Sequence, residues 1–235
     1  SLNGATRSAN VTGGRFSTDI TIIPGANKIE VSASDNASPP NVGSSGIITV
    51  TLDKVAPRIE IFTPADGSLL GTNATTITGH IEDNAITLVR SATLTLNGTD
   101  STVSVDDEGN FSVARTLQSG TNTMLVSATD AYGNTGTSNT VIVDVDTSDP
   151  VVTIHTPLNG FVTRIATQAV SGNVTHSQTI TSVTLNHNGV FRTITYSGGA
   201  SGTFGATVTL VEGENSIVVR AADASSPVKT GASGV

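Results

Sequence analysis

The residues of this 235-residue chain best suited to chemistry are its acids, 19 Asp and Glu against 11 Lys and Arg. The informative ones recur. Asp53 and Asp146 each open a short junction that ends in proline, Asp53-Lys54-Val55-Ala56-Pro57 and Asp146-Thr147-Ser148-Asp149-Pro150. Asp130 and Asp223 close runs of similar composition, and Glu82 and Asp83 stand at the end of another. Calcium takes about six to eight oxygen ligands, so carboxylates converging on a junction from several turns could supply part of its shell. Asp53, Glu82, Asp83 and Asp130 make one candidate set for calcium, and Asp144, Asp146, Asp149 and Asp223 a second. The competing reading is that each aspartate caps its own turn through nearby backbone amides. No contiguous ligand loop of the EF-hand kind is present. Asp106-Asp107-Glu108 stands apart and reads as a solvated turn.

Other chemistries find little support. With no cysteine there is no disulfide framework and no thiolate metal site. The four histidines, His80, His155, His176 and His187, fall at unrelated places without HExxH-like spacing, and each reads as a lone surface residue. Gly198-Gly199-Ala200-Ser201-Gly202 precedes a strand rather than a helix, so it lacks the amide cradle that a phosphate needs. No catalytic or cofactor-binding residues are expected, and the chain does not read as an enzyme. A net charge of −8 without a basic cluster argues against nucleic acid. The apolar runs are too short for a membrane span. Carbohydrate platforms need exposed aromatic rings; here Trp is absent and only Tyr132 and Tyr196 are available. A polysaccharide or other surface ligand therefore remains an option without a motif.

The elements that must position the acids repeat. Arg15–Pro39, Asn110–Asn134 and Thr203–Pro227 spell one pattern of strand, tight turn, strand and acidic turn. Phe16, Phe111 and Phe204 lie 95 and 93 residues apart, and Asp35, Asp130 and Asp223 keep the same spacing. A fixed period of that length means one domain copied in tandem. Residues 54–146 read as a complete copy, 1–53 as the carboxy-terminal part of another, and 147–235 as a third without its last strand. Within a copy, alternating Thr/Val/Ile-rich runs are broken by turn signals at short intervals, and no helical stretch is evident. Ala92–Leu96, Asn97-Gly98 and Ser101–Val105 give the plainest hairpin. In the first copy Thr6–Val11, Arg15–Ile22, Asn27–Ser34 and Gly46–Leu52 are the expected strands; in the third Phe191–Tyr196 is one. The repeated phenylalanines are expected in the cores. The fold class is all-β, a tandem series of immunoglobulin-like antiparallel β-sandwiches of about seven strands each.

Leu96-Asn97-Gly98, Gly109-Asn110-Phe111, Gly120-Thr121-Asn122, Ala128-Thr129-Asp130 with Gly133-Asn134, and the Asp-to-Pro junctions carry a resemblance. The chain resembles the tandem bacterial immunoglobulin-like domains, in particular the glucodextranase-B-like repeats of secreted and surface proteins. It departs in the third copy, where His187 interrupts the Asn-Gly turn and Ala224-Ser225-Ser226-Pro227 replaces Gly-Asn. The resemblance implies an extracellular or cell-surface stalk, adhesin or fibre module whose partners are neighbouring repeats. The alternatives are accessory domains of a secreted polysaccharide-active enzyme, or a filament subunit joined by β-strand exchange.

Overall fold

The computed structural model describes residues 1–83, 89 and 91–234. Among these every regular element is a strand or an isolated bridge, and no helix is long and apolar enough to cross a membrane. The loop expected after Asp83 lies mostly outside the described residues.

The first copy holds β1 (Asn10–Thr12), β2 (Arg15–Ser17), β3 (Gly25–Ser34) and β4 (Val42–Leu52). The second holds β5 (Arg58–Thr63), β6 (Leu69–Leu70), β7 (Ala74–Glu82), β8 (Ser91–Leu96), β9 (Thr99–Ser104), β10 (Asn110–Thr116), β11 (Gly120–Thr129), β12 (Thr135–Thr137) and β13 (Val141–Val145). In the third are β14 (Val151–Thr156), β15 (Thr167–Thr175), β16 (Ile180–His187), β17 (Val190–Thr193), β18 (Thr195–Gly198), β19 (Gly202–Thr209), β20 (Ile217–Asp223) and β21 (Thr230–Ala232).

Period-2 alternation decides which face each strand turns inward. In β7 the sequence Ala-Thr-Thr-Ile-Thr-Gly-His-Ile-Glu buries Ile77, Gly79 and Ile81 and turns the residues between them outward. That strand is the centre of a three-stranded sheet, β10-β7-β5, packed against β6-β13-β11-β8-β9 with β12 on the flank of β11. The two inner faces close over Ile77, Leu94, Met124, Val126 and Val143, each at most 1% exposed. The third copy repeats the layers as β14-β15-β19-β18 against β17-β16-β20-β21, around Val170, Val174, Val183, Leu185 and Val219. Burying a side chain of this kind contributes about 1.5–3 kcal/mol.

Two glycines make room for the repeated phenylalanine. A Cβ on Gly79 would stand 2.3 Å from Phe111 Cζ, and one on Gly172 2.6 Å from Phe204 Cζ. Both rings are 3% exposed. Phe16 is the correction: it is 51% exposed, because among the described residues no strand equivalent to β7 lies opposite it. The first copy is a long hairpin, β3-β4, and a separate short ladder, β1-β2, with no buried apolar side chain among the described residues. Its expected strand from Arg15 stops at Ser17, and the one from Thr6 is ordered as a strand only at Asn10–Thr12. Neither has a partner sheet to extend it.

Turn chemistry follows the sequence closely. Asn97 and Gly98 take φ of 51° and 78°, the pairing that a type I′ hairpin turn requires. Asn3-Gly4 and Asn188-Gly189 do the same, so His187 is the last residue of β16 and the third copy's turn moves to Asn188. The expected strand Phe191–Tyr196 divides: β17 pairs with β16, β18 crosses to β19 in the other sheet, and Ile194 between them packs on the core.

Candidate functional site at the repeat junctions

Each copy builds its acidic turn from the same parts. Asp130 Oδ1 accepts the amides of Tyr132 and Asn134, both at 2.8 Å, and its Oδ2 accepts Asn134 Nδ2 at 2.7 Å. Burial raises this carboxyl, but the bonds from the Asn134 side chain and the backbone outweigh it and hold the pKa below 3.8. Asp35 caps Ala37 and Asn41 likewise, and the Asn41 side chain leads in lowering its pKa. Asp223 Oδ1 accepts the amides of Ser225 at 3.1 Å and Lys229 at 2.9 Å, and the Ser225 hydroxyl at 2.7 Å. Turn capping is thus present at all three.

The second junction adds a cluster. Asp146, at its start, is 8% exposed and Asp223 1%. His176, in the loop after β15, puts Nε2 3.0 Å from Asp223 Oδ2 and 3.5 Å from Asp146 Oδ2, with its side chain 2% exposed. Carboxylates only accept, so the nitrogen facing both of them carries the proton. Asp146 also accepts the Ser148 amide at 2.9 Å and the hydroxyls of Ser148 and Ser177. Burial raises both carboxyls; hydrogen bonds led by Ser148 for Asp146 and by Ser225 for Asp223, with His176 contributing, bring both below 3.8. The junction residue Asp146 is therefore fastened to the loop after β15 of the third copy and, through His176, faces its Asp223 turn.

The other candidates are placed differently. Asp144 is exposed and accepts the Thr121 hydroxyl at 2.6 Å, and Asp149 is exposed as well. Glu82 is exposed and lies 4.0 Å from Arg58. Asp53 is 9% exposed and accepts the Val55 amide at 2.9 Å, as Asp146 accepts that of Ser148. Asp83 is half-buried at the position that His176 takes one repeat later. Among the described residues no group of three or more His, Asp or Glu has the arrangement of a metal site.

His176 was missed as a member of the cluster and corrects the reading of the histidines as surface residues. The signal was available: counting 93 residues back from His176 lands on Asp83, already singled out. Asn27, Asn122 and Asn215 were missed as well. Asn122 Oδ1 accepts the Gln118 amide at 3.0 Å and Asn97 Nδ2 at 2.9 Å, while its Nδ2 donates to the carbonyls of Gln118 and Gly120. Asn27 and Asn215 repeat this set of bonds, each tied to the asparagine of its own hairpin turn. These are structural bolts.

With this geometry described, likeness to known proteins can be stated. Residues 57–147 match the family described as glucodextranase, domain B. A further likeness is to bacillopeptidase F of Bacillus subtilis (strain 168), 34% identical over 140 residues, which are 59% of this chain and 9% of that protein. Superpositions on solved structures are loose. Fibronectin(III)-like modules of Clostridium thermocellum CbhA give a TM-score of 0.41 at 17% identity, covering 75% of this chain and 92% of theirs. A 1.5-MDa bacterial ice-binding adhesin gives 0.43 at 19% identity, covering 88% and 71%.

Proposed function

We propose that this chain is a structural repeat array, an extracellular spacer or stalk segment that sets distance and orientation between whatever it joins. The observation that carries this reading is the second junction, where Asp146 is held by Ser148, Ser177 and His176 inside a nearly solvent-free contact. A flexible string would not bury and saturate its linker carboxylate; burying a charge is costly unless it is paired and hydrogen-bonded. Repeat proteins draw stability from small cores and nearest-neighbour interfaces, and this junction is such an interface. Small-angle scattering on the whole chain tests the reading. A single, fixed separation between the second and third repeats is expected, and a broad distribution of separations would overturn it.

A second reading is an accessory module of a secreted polysaccharide-active enzyme, favoured by the match of residues 57–147 to a domain of glucodextranase. Affinity electrophoresis in gels containing soluble α-glucan separates the two, since retardation supports the accessory role and unchanged mobility the spacer. Calcium belongs within the first reading, at the junction with Asp53, Asp83 and Asp130 in equivalent positions. At the second the imidazole of His176 already stands between the carboxylates.

A further inference from the structure

The second and third repeats also meet through their backbones. The Gly71 amide donates to the Ser226 carbonyl at 2.9 Å, and the Ser226 amide donates to the Leu69 carbonyl at 3.1 Å. Leu70 and Ser226 form a parallel bridge. On its other side β6 pairs in parallel with β13. The loop of the third repeat therefore extends the edge of a sheet in the second, the strand-addition mode of recognition. An edge strand offers unpaired amides and carbonyls, and here one specific loop satisfies them.

Two features make this contact selective. Gly71 is the first: a Cβ there would stand 2.0 Å from the Pro227 carbonyl oxygen and 3.0 Å from Ser225 Oγ. The nearer atom is backbone, so no rotamer change relieves the clash. The loop is the second. Asp223 caps the amides of Ser225 and Lys229, and Ser225 Oγ reaches the Pro227 carbonyl at 3.0 Å, which presents Ser226 outward to β6. The second repeat's own acidic turn, Asp130 to Asn134, is two residues shorter and has no Ser-Pro. The first repeat's loop, Asp35 to Asn41, has the longer build: Asp35 accepts the Ala37 amide at 3.0 Å and the Asn41 amide at 2.9 Å, and Ser38-Pro39 occupies the place of Ser226-Pro227. The third repeat carries Val162-Thr163-Arg164 where the second has Leu69-Leu70-Gly71, and Val162 is 90% exposed.

We propose that the Leu69–Gly71 edge is a selective docking site for the long Asp-to-Ser-Pro loop of a following repeat, with Gly71 as the selector. Repeats of the second kind then clasp repeats whose loop has the long build, and a repeat with arginine at the selector position does not. The rule holds whether the array serves as a stalk or as part of an enzyme. It predicts pairing order from two short sequence marks.

Amide hydrogen exchange on the full chain tests it. Gly71→Arg, which copies the third repeat, is expected to speed exchange at the amides of residue 71 and Ser226 at least tenfold, while Val126 and Val219 in the two cores stay protected. Unchanged protection at both clasp amides would overturn the proposal. Two loop exchanges keep the test open should Gly71→Arg misfold. Replacing residues 224–229 with the sequence of residues 36–41 is expected to keep the clasp amides protected. Replacing them with the sequence of residues 131–134 is expected to expose them. Either the reverse pattern or equal protection in both exchanges would show that the edge does not select its loop.

Discussion

Residues 1–53 and the complete second repeat carry the same local code and reach different ends. In both, an Asn-Gly turn takes positive φ, an asparagine bolts the crossing between strands, and an aspartate caps the loop that follows. Yet Phe111 lies in a core and Phe16 in solvent. Gly136 meets the Pro57 carbonyl at 1.8 Å from its would-be Cβ, whereas the equivalent Gly43 has nothing within 4 Å. Turns and caps are satisfied by neighbours within a few residues, so they form wherever their sequence occurs. A core needs a second sheet, and its residues come from far along the chain.

The largest expected contrast lies at the phenylalanines. Phe111→Ala and Phe204→Ala should each cost about 3–5 kcal/mol through the lost burial and the cavity beside Gly79 or Gly172. Phe16→Ala should stay within about 0.5 kcal/mol. Urea melts of the three variants check this, and equal losses at all three would erase the distinction between the regions.

Next comes the buried histidine. His176→Leu leaves Asp146 and Asp223 without the group between them, a loss of about 3 kcal/mol to the third repeat. His176→Asp copies the first junction, and its melting temperature should become calcium-dependent while that of the parent second junction does not. Calorimetry with calcium and with chelator reads both. Gly136→Ala should cost about 1–3 kcal/mol by overpacking against Pro57, and Gly43→Ala next to nothing. Parallel thermal melts would show it.

The smallest effect is the response to acid. Asp130, Asp146 and Asp223 have folded pKa values below 3.8, so the unfolded chain binds their protons more tightly. Their contribution is fully present above the unfolded value and is lost as pH falls below about 3.8 through the folded ones. Stability of the second and third repeats should be flat from pH 7 to 5 and decline below 4, as followed by circular dichroism.

Much of this was written in the residues. The 93-residue period, the alternation in β7 and the Asn97-Gly98 turn are each local or simply countable. The acidic turns were legible for the same reason, since Asp130 and its equivalents bond to amides no more than six positions away. The division of Phe191–Tyr196 between two sheets was not, because both halves alternate alike and only the packing of Ile194 separates them.

By itself the sequence determined the repeat, most of the strands, the turns and the capping aspartates, all set by backbone geometry and hydrogen bonds over short stretches. The tertiary structure decided which equivalent residues became core and which stayed exposed. It also placed His176 between Asp146 and Asp223 and laid the Ser226 loop against β6. Those outcomes depend on surfaces contributed by different repeats, and burial is a property of the whole surrounding shell rather than of any one residue.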